Sequence, residues 1–395
     1  KKHLFGGTVG LFYNLDYENE QNKDSSWGHG VSLVLTQPLL QNLGIETNLA
    51  RIKSAKNNSD KAYYEFKDKI ISVLADVQTA YWNLVNTHAS YELQRKSLEL
   101  TENLYKITMA RIKAGSLAAA DILDVETNLA FKRDSLIIAE KQIYLAEDRL
   151  KYLIRPLDID YYKNVRLVPT EVPIFTKISL NFDESLKEAM ENRPDLKSLK
   201  INLENADIQV DSNKNGLLPK LDLSASFGLN GIGEESSQAW KPLRDADYPF
   251  WQVKLNLEIP LGNRAAKSRY LKSLLERKQL QATYKNLENY IITDVLGAIR
   301  EIETSIKRVE TAQKAREFAE KQLANEENKF RAGIITLFQV QDTEQKLTEA
   351  RITESNALLD YQRSLVKLEK ARGSLLKNLN KYNIDIDNLN KREEK

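Results

Sequence analysis

Apolar side chains recur every three or four residues along two long tracts of the chain, which is the spacing of an amphipathic helix. The first tract, residues 45–114, contains no Gly and no Pro, and the second, residues 263–332, is interrupted only by Gly297. A helix of about 70 residues would span roughly 105 Å, which is longer than a compact domain of this size needs. The pattern therefore predicts two long coiled-coil arms.

Each arm is expected to turn back on itself at a glycine. Gly115 and Gly333 can adopt the left-handed conformation that commonly ends a helix, and helical periodicity resumes after both. A turn this short joins antiparallel helices. Two helical hairpins are therefore predicted, over residues 45–154 and 263–376.

The two hairpins are related by a fixed offset, since Gly115 and Gly333 lie 218 positions apart. The same offset, without a gap, matches Gly44 with Gly262, Arg51 with Arg269, Asp76 with Asp294, Ala80 with Ala298, Asp124 with Asp342, Glu126 with Glu344, Leu129 with Leu347 and Arg133 with Arg351. A shared register over so many positions indicates a tandem duplication.

Four shorter segments alternate apolar and polar side chains, which is the period of a β-strand. They cover residues 9–17, 31–35, 221–230 and 251–259. The connections 18–30 and 231–250 are rich in Gly, Ser, Asp, Asn and Glu, and they are expected to be exposed loops. The strands fit either a small antiparallel sheet with one wet face or part of a membrane barrel. Four strands cannot close a barrel, so the second interpretation requires several chains.

Helix lengths favour the barrel. A return helix of about 38 residues covers roughly 57 Å, about half of an arm. In the second half, a further helix predicted over residues 183–216 would complete the return and lead directly into a strand. The first half lacks this piece, so we expect a helix of some thirty residues to precede Lys1 in the native protein.

The predicted organisation has two repeats. It comprises a first repeat over 1–154 (β-hairpin 8–37, helical hairpin 45–154), a linker over 155–182, a second repeat over 183–378 (helix 183–216, β-hairpin 221–260, helical hairpin 263–376) and a tail over 379–395.

Composition argues against several functions. The net charge of +2 provides no basic excess for a nucleic-acid partner. The chain has no Cys, and its three histidines, His3, His29 and His88, lie far apart in the sequence. No catalytic or metal-binding motif is present, so neither an enzyme nor a cofactor or metal site is predicted.

Several short motifs occur in a fixed order within the duplication. They are Asn192-Arg-Pro-Asp-Leu196, Gly216-Leu-Leu-Pro-Lys-Leu-Asp-Leu223, Leu257-Glu-Ile-Pro-Leu-Gly-Asn263, and the paired tips Lys113-Ala-Gly115 and Phe330-Arg-Ala-Gly333. In this order, and over essentially the whole chain, the sequence resembles the TolC-like outer-membrane efflux proteins of Gram-negative bacteria.

The resemblance implies a mainly α fold with membrane β-structure. Three chains would form a homotrimer whose duplicated helical hairpins build an α-barrel across the periplasm, while four strands per chain build a shared twelve-stranded barrel in outer-membrane lipid. It also implies a passive exit duct that docks through a periplasmic adaptor to an inner-membrane transporter. The sequence does not choose among drugs, metals or proteins as cargo. A soluble, elongated coiled-coil scaffold, with the sheet as a mere junction, is the alternative function.

The resemblance also implies a cation-attracting pore constriction just after the tip glycines. Asp342 matches an acidic position of the family, whereas Gln339 occupies a position that is commonly acidic. Asp121 and Asp124 are the acids of the first repeat. A local role is equally open, because Thr336 and Gln339 fit a capping box and acids favour helix starts.

The tips themselves are the adaptor docking surface that the resemblance implies. The docking residues are Ala114, Gly115, Ser116 and Leu117 in the first repeat and Ala332, Gly333, Ile334 and Ile335 in the second. The glycines would also terminate the helices. Of the tryptophans, Trp82 is expected in coiled-coil packing, and Trp251 fits an interfacial aromatic girdle.

Overall fold

The structure, a computed structural model, describes residues 5–19, 26–116, 118, 120–154 and 159–379. The strands are β1 (Thr8–Glu18), β2 (Ser26–Pro38), β3 (Lys220–Gly233) and β4 (Tyr248–Glu258). The helices are α1 (Ile45–Lys113), α2 (Asp121–Ile154), α3 (Ile159–Asn164), α4 (Phe182–Asn192), α5 (Pro194–Asn215), α6 (Ser236–Asp245), α7 (Arg264–Arg331), α8 (Leu337–Arg372) and α9 (Leu375–Leu379). Within the described segments, no helix combines the length and the apolarity needed to cross a membrane.

The two predicted arms are α1, with 69 residues, and α7, with 68. Their return helices are α2 and α8. The helix predicted over 183–216 is instead two helices, because the chain is extended at Arg193 (φ −60°, ψ 122°). Pro194 follows directly, and a residue before proline is pushed out of the helical region.

The strands form one antiparallel sheet in the order β1-β2-β3-β4. Both predicted hairpins are present, and pairing of β2 with β3 joins them. The register aligns the apolar positions of all four strands: one cross-strand row reads Leu11, Leu33, Phe227 and Trp251. Paired residues point to the same face, so one face of the sheet is apolar from edge to edge.

Helix α6 lies in the connection 231–250, which was predicted to be a loop. Its Ala239 and Leu243 are buried against the apolar face of the sheet. A Cβ at Gly231 would stand 2.0 Å from the Ala239 carbonyl oxygen, so only glycine permits this close approach. His29 is also buried. Its Nδ1 shares a hydrogen bond with Tyr13 Oη at 2.6 Å, and its Nε2 shares one with Ser236 Oγ at 3.0 Å. These contacts, rather than local propensity, fix the helix.

The chain divides into two compact units, and each contains parts of both repeats. The first unit comprises residues 1–65 and 195–287, including the sheet, α5 and α6, and the second comprises residues 66–194 and 288–395. The unit boundaries fall within α1 and α7 and therefore do not follow the duplication.

In the second unit, equivalent residues of the repeats play equivalent roles. Ala80 and Ala298 are both buried in their helices. Arg133 pairs with Glu102 at 3.5 Å, and at the offset of 218 positions Arg351 pairs with Glu320 at 3.0 Å. The repeated ion pair supports the duplication that the sequence indicates. Trp82 packs against the cluster of Ile71, Ala75, Val366 and Leu375, which agrees with its expected role.

Candidate functional site at the helix tips

Both arms end in the same backbone turn. Gly115 and Gly333 have φ of +74° and +76°, and among the described residues no atom outside the turn lies within 4 Å of the position of a Cβ at either. The following amide reaches back across the turn: Ser116 N–H donates to the Arg111 carbonyl, and Ile334 N–H donates to that of Lys329, each at 2.9 Å. This is the hydrogen bond of a left-handed helix end, so the predicted stop at both glycines is confirmed.

The tip residues are largely exposed. Ala114, Gly115 and Ser116 are exposed in the first repeat, and Ala332, Gly333 and Ile334 in the second. Leu117 lies outside the described residues. Ile335 is partly buried and packs against the core of this region. The second tip is more apolar, since Ile334 is 72% exposed and Phe338, one turn later, is 69% exposed. Phe338 was not among the predicted tip residues, although a large apolar residue beside a tip is a usable signal.

One core joins the helix ends around the two tips. Its buried members are Val125 of α2, Leu323 and Phe330 of α7, and Leu337, Val340 and Leu347 of α8. Leu104 and Tyr105 of α1 pack against it, and the guanidinium of Arg111 lies 4.5 Å from the centre of the Phe330 ring. The structure thus brings both predicted tips to one end of the second unit.

The start of α8 contains Gln339 and Asp342. Thr336 N–H donates to Gln339 Oε1 at 3.1 Å, and the capping box is formed, so Gln339 does have the local role that the sequence left open. Its side chain is nevertheless exposed. Asp342 is also exposed and forms an ion pair with Lys346 at 2.6 Å.

On the helical wheel, Asp342 lies opposite the buried side of α8. The buried side includes Val340, Thr343, Glu344 and Leu347. Phe338 is four residues before Asp342 and so shares its face. In the first repeat Asp124 is exposed, and Asp121 begins α2, but the description does not extend to the Asp121 side chain.

A buried polar cluster lies deeper between the helices. Glu344 of α8 forms an ion pair with Lys132 of α2 at 3.2 Å, and it accepts a hydrogen bond from Ser97 of α1 at 2.6 Å and one from Thr348 at 3.1 Å. Lys132 and Glu344 are each 8% exposed. The cluster connects three helices from both repeats. It was missed because both charged residues appear, in sequence, to lie on ordinary solvated faces.

A second charged cluster links α7 and α8. Glu320 accepts hydrogen bonds at 3.0 Å from both Arg351 and Arg316, and Arg316 also pairs with Glu354 at 2.7 Å. The hydrogen bond from Arg351, followed by that from Arg316, holds the pKa of Glu320 below its usual value despite partial desolvation. Within the described segments, no group of His, Cys, Asp and Glu is arranged to hold a metal ion.

The sequence profile described as "Outer membrane efflux protein" matches residues 9–154 and 185–374. The chain is 24% identical over 333 residues to the pyoverdine export outer membrane protein OpmQ of Pseudomonas aeruginosa, covering 82% of this chain and 66% of that protein. It is 21% identical over 368 residues to the outer membrane protein TolC of Vibrio cholerae, covering 92% of this chain and 80% of that protein. The chain therefore spans just under two thirds of OpmQ and four fifths of this TolC.

Solved structures share the fold. The outer-membrane channel OprN superposes with a TM-score of 0.76 at 17% identity, over 94% of this chain and 82% of its own. The Campylobacter jejuni CmeC outer membrane channel superposes with a TM-score of 0.75 at 15% identity, over 97% of this chain and 83% of its own.

Proposed function

Because the chain belongs to the outer membrane efflux protein family, we propose that three copies form the outer-membrane exit duct of a tripartite efflux or type I secretion system. The protein is located in the outer membrane, as its family is. In this proposal the duct is passive. It receives drugs, metals or proteins from an inner-membrane transporter and catalyses no reaction.

The observation that carries the proposal is the apolar face of the sheet. Leu11, Leu33, Phe227 and Trp251 form a single row, and each is 49–78% exposed. A contiguous exposed surface of this kind does not suit the soluble scaffold that the sequence left open. It suits a wall with lipid on one side, and the opposite face carries Asp222, Gln252, Lys254, Asn256 and Glu258, as a lumen requires.

Two further features support assembly from several copies. Among the described strands, the order places β1 and β4 at the edges of the sheet, and an 11-residue edge strand readily pairs with another chain. Along α2, Phe131, Ile138, Leu145 and Tyr152 recur every seven residues and are 51–67% exposed. An exposed heptad stripe is suited to packing against a helix of a neighbouring copy.

At the tips, the proposal has two parts. Ile334 and Ile335, with Ala332 and Gly333 and the first-repeat residues 114–117, dock the periplasmic adaptor. Asp342 and Gln339, with Asp121 and Asp124, surround the entrance, and the three carboxylates attract cations.

Planar-bilayer recording tests the proposal. The purified full chain should form trimers in detergent and insert as discrete, long-lived channels whose conductance rises when the adaptor is added. Monodisperse monomers that stay soluble without detergent and produce no conductance steps would contradict it. An Asp342→Ala variant should still form channels but show weaker cation preference, so the tests of the duct and of the constriction are separable.

A further inference from the structure

Exposed apolar side chains continue beyond the end of the sheet. The outward positions of β4 continue beyond its last residue, Glu258, as Ile259 and Leu261. Ile259 is 60% exposed and Leu261 is 99% exposed. Leu43, the repeat equivalent of Leu261, and Leu218 are also exposed in this unit. These four side chains, Leu43, Leu218, Ile259 and Leu261, all lie in the short segments that join a strand to a helix, and together they are called the apolar collar.

Basic residues follow the collar immediately. Gly262 and Asn263, both with positive φ, turn the chain into α7, which opens with exposed Arg264, Lys267 and Arg269. The first turn of α7 contains no acidic residue. Positive charge at a helix start opposes the helix dipole, and α1 follows the usual preference with Glu46 in its first turn.

These three cations have no acidic partner among the described residues. The first ion pairs along α7 are those of Lys272 with Glu276 and of Arg277 with Asp207. Arg264 and Lys267 are three residues apart and share one helix face. Among the described residues, neither the start of the helix nor an acidic neighbour compensates these charges, so they are available to a partner outside the chain.

We propose that this junction anchors the protein to the membrane leaflet nearest the helices: the collar enters the hydrocarbon layer, and Arg264 and Lys267 bind lipid phosphates. An apolar surface bordered by cations matches the order of hydrocarbon and phosphate in a leaflet. The inference rests on the proposed function, because it takes the apolar sheet face as lipid-facing. It adds the depth of the membrane boundary and a preference for anionic phospholipid.

The depth of Leu261 can be measured directly because the full chain has no cysteine. Leu261→Cys, labelled with an environment-sensitive fluorophore and reconstituted in vesicles, should emit in the blue and be quenched by brominated lipids. Leu255→Cys on the sheet face is the lipid-facing reference, and Lys314→Cys on α7 is the aqueous one. A label at position 261 in water overturns the proposal. So does a label that is shielded from water but not quenched, which would show that a neighbouring chain covers the collar.

The headgroup preference needs a separate measurement. Native mass spectrometry of the detergent-solubilised protein measures lipid binding. Phosphatidylglycerol should bind more tightly than phosphatidylcholine. Arg264→Gln/Lys267→Gln should weaken phosphatidylglycerol binding about 30-fold, or about fivefold per cation. The matched Lys285→Gln/Lys314→Gln pair should leave it unchanged. The proposal is overturned if the two double variants weaken phosphatidylglycerol binding equally, or if neither of them weakens it. Channels that still conduct in planar bilayers would show that the duct stands while the anchor fails.

Discussion

Lys132 of α2 and Glu344 of α8 form a buried ion pair, with 3.2 Å between Nζ and Oε2. Removing one partner of such a pair leaves an uncompensated charge, so Lys132→Met should cost about 3–5 kcal/mol of unfolding free energy. Lys346→Met, which breaks the exposed pair with Asp342, should cost only about 0–1 kcal/mol. Denaturant unfolding of the full chain in detergent measures both. Lys132→Met/Glu344→Leu should recover much of the loss, and equal costs for the two single variants would show that the buried pair is not structural.

The residue at position 339 should set the strength of the charged entrance. Gln339→Glu adds a carboxylate and still accepts the hydrogen bond from Thr336 N–H, so we expect stronger cation selectivity in planar bilayers. Gln339→Ala removes the acceptor without adding charge, and it should cost about 1 kcal/mol of stability while leaving selectivity unchanged. If Gln339→Glu also leaves selectivity unchanged, this side chain does not face the ion path.

Adaptor docking should depend on the apolar second tip. Ile334 at the turn is 72% exposed. Ile334→Asp places a charge at this position, and it should weaken adaptor binding by about 2 kcal/mol, or roughly 30-fold, as is typical of a residue central to a contact. Ile334→Leu should bind normally. Surface plasmon resonance with the purified adaptor gives both affinities, and equal binding by the two variants would place the docking surface elsewhere.

Acid should loosen the contact between α7 and α8 through Glu320. Its pKa is lowered in the folded state, chiefly by the hydrogen bond from Arg351, so its stabilising contribution is complete above the ordinary glutamate pKa. That contribution is lost as the pH falls through the lowered value. Arg351→Gln should therefore reduce stability at neutral pH and flatten the fall of the melting temperature in acid. Arg133→Gln, the equivalent change in the first repeat, is the comparison variant. The ion pair of Arg133 with Glu102 is longer and more exposed than that of Arg351 with Glu320. Parallel acid curves for wild type and Arg351→Gln would exclude this role.

Docking of α6 on the sheet should require glycine at position 231. An alanine Cβ there would lie 2.0 Å from the Ala239 carbonyl oxygen, whereas one at Gly28 would meet nothing closer than 3.6 Å. Gly231→Ala should displace α6 and speed proteolysis within residues 234–247, and Gly28→Ala should not. Identical digestion patterns would mean that the sheet accommodates the methyl group.

Periodicity was sufficient to predict the elements whose stability depends on repeated spacing. The spacing of apolar residues along α1 and α7, and the alternation around Leu223 and Leu255, each follow from a pattern many residues long. Gly115 and Gly333 marked the turns because a positive φ is a strictly local requirement.

The remaining features depend on contacts between segments distant in sequence. Helix α6 forms because Ala239 and Leu243 find the sheet, although its surrounding composition is that of a loop. The break at Arg193 follows from Pro194, whose effect on the preceding residue was outweighed by the helical pattern around it. The ion pair of Lys132 with Glu344 joins two repeats, and no local spacing identifies such a partner.

The two repeats share one ion pair, whereas the buried polar cluster has no counterpart at the equivalent positions. This difference has a consequence for symmetry. Positions 97, 132 and 344 carry Ser, Lys and Glu, whereas their counterparts 315, 350 and 126 carry Ala, Ala and Glu. Glu126 interacts instead with Tyr105. A ring of three chains would present six hairpins of two alternating kinds, with true threefold and only approximate sixfold symmetry. A partner with six equal binding elements would meet unlike surfaces at neighbouring hairpins of such a ring. Duplication followed by divergence would therefore fix the rotational position in which that partner binds.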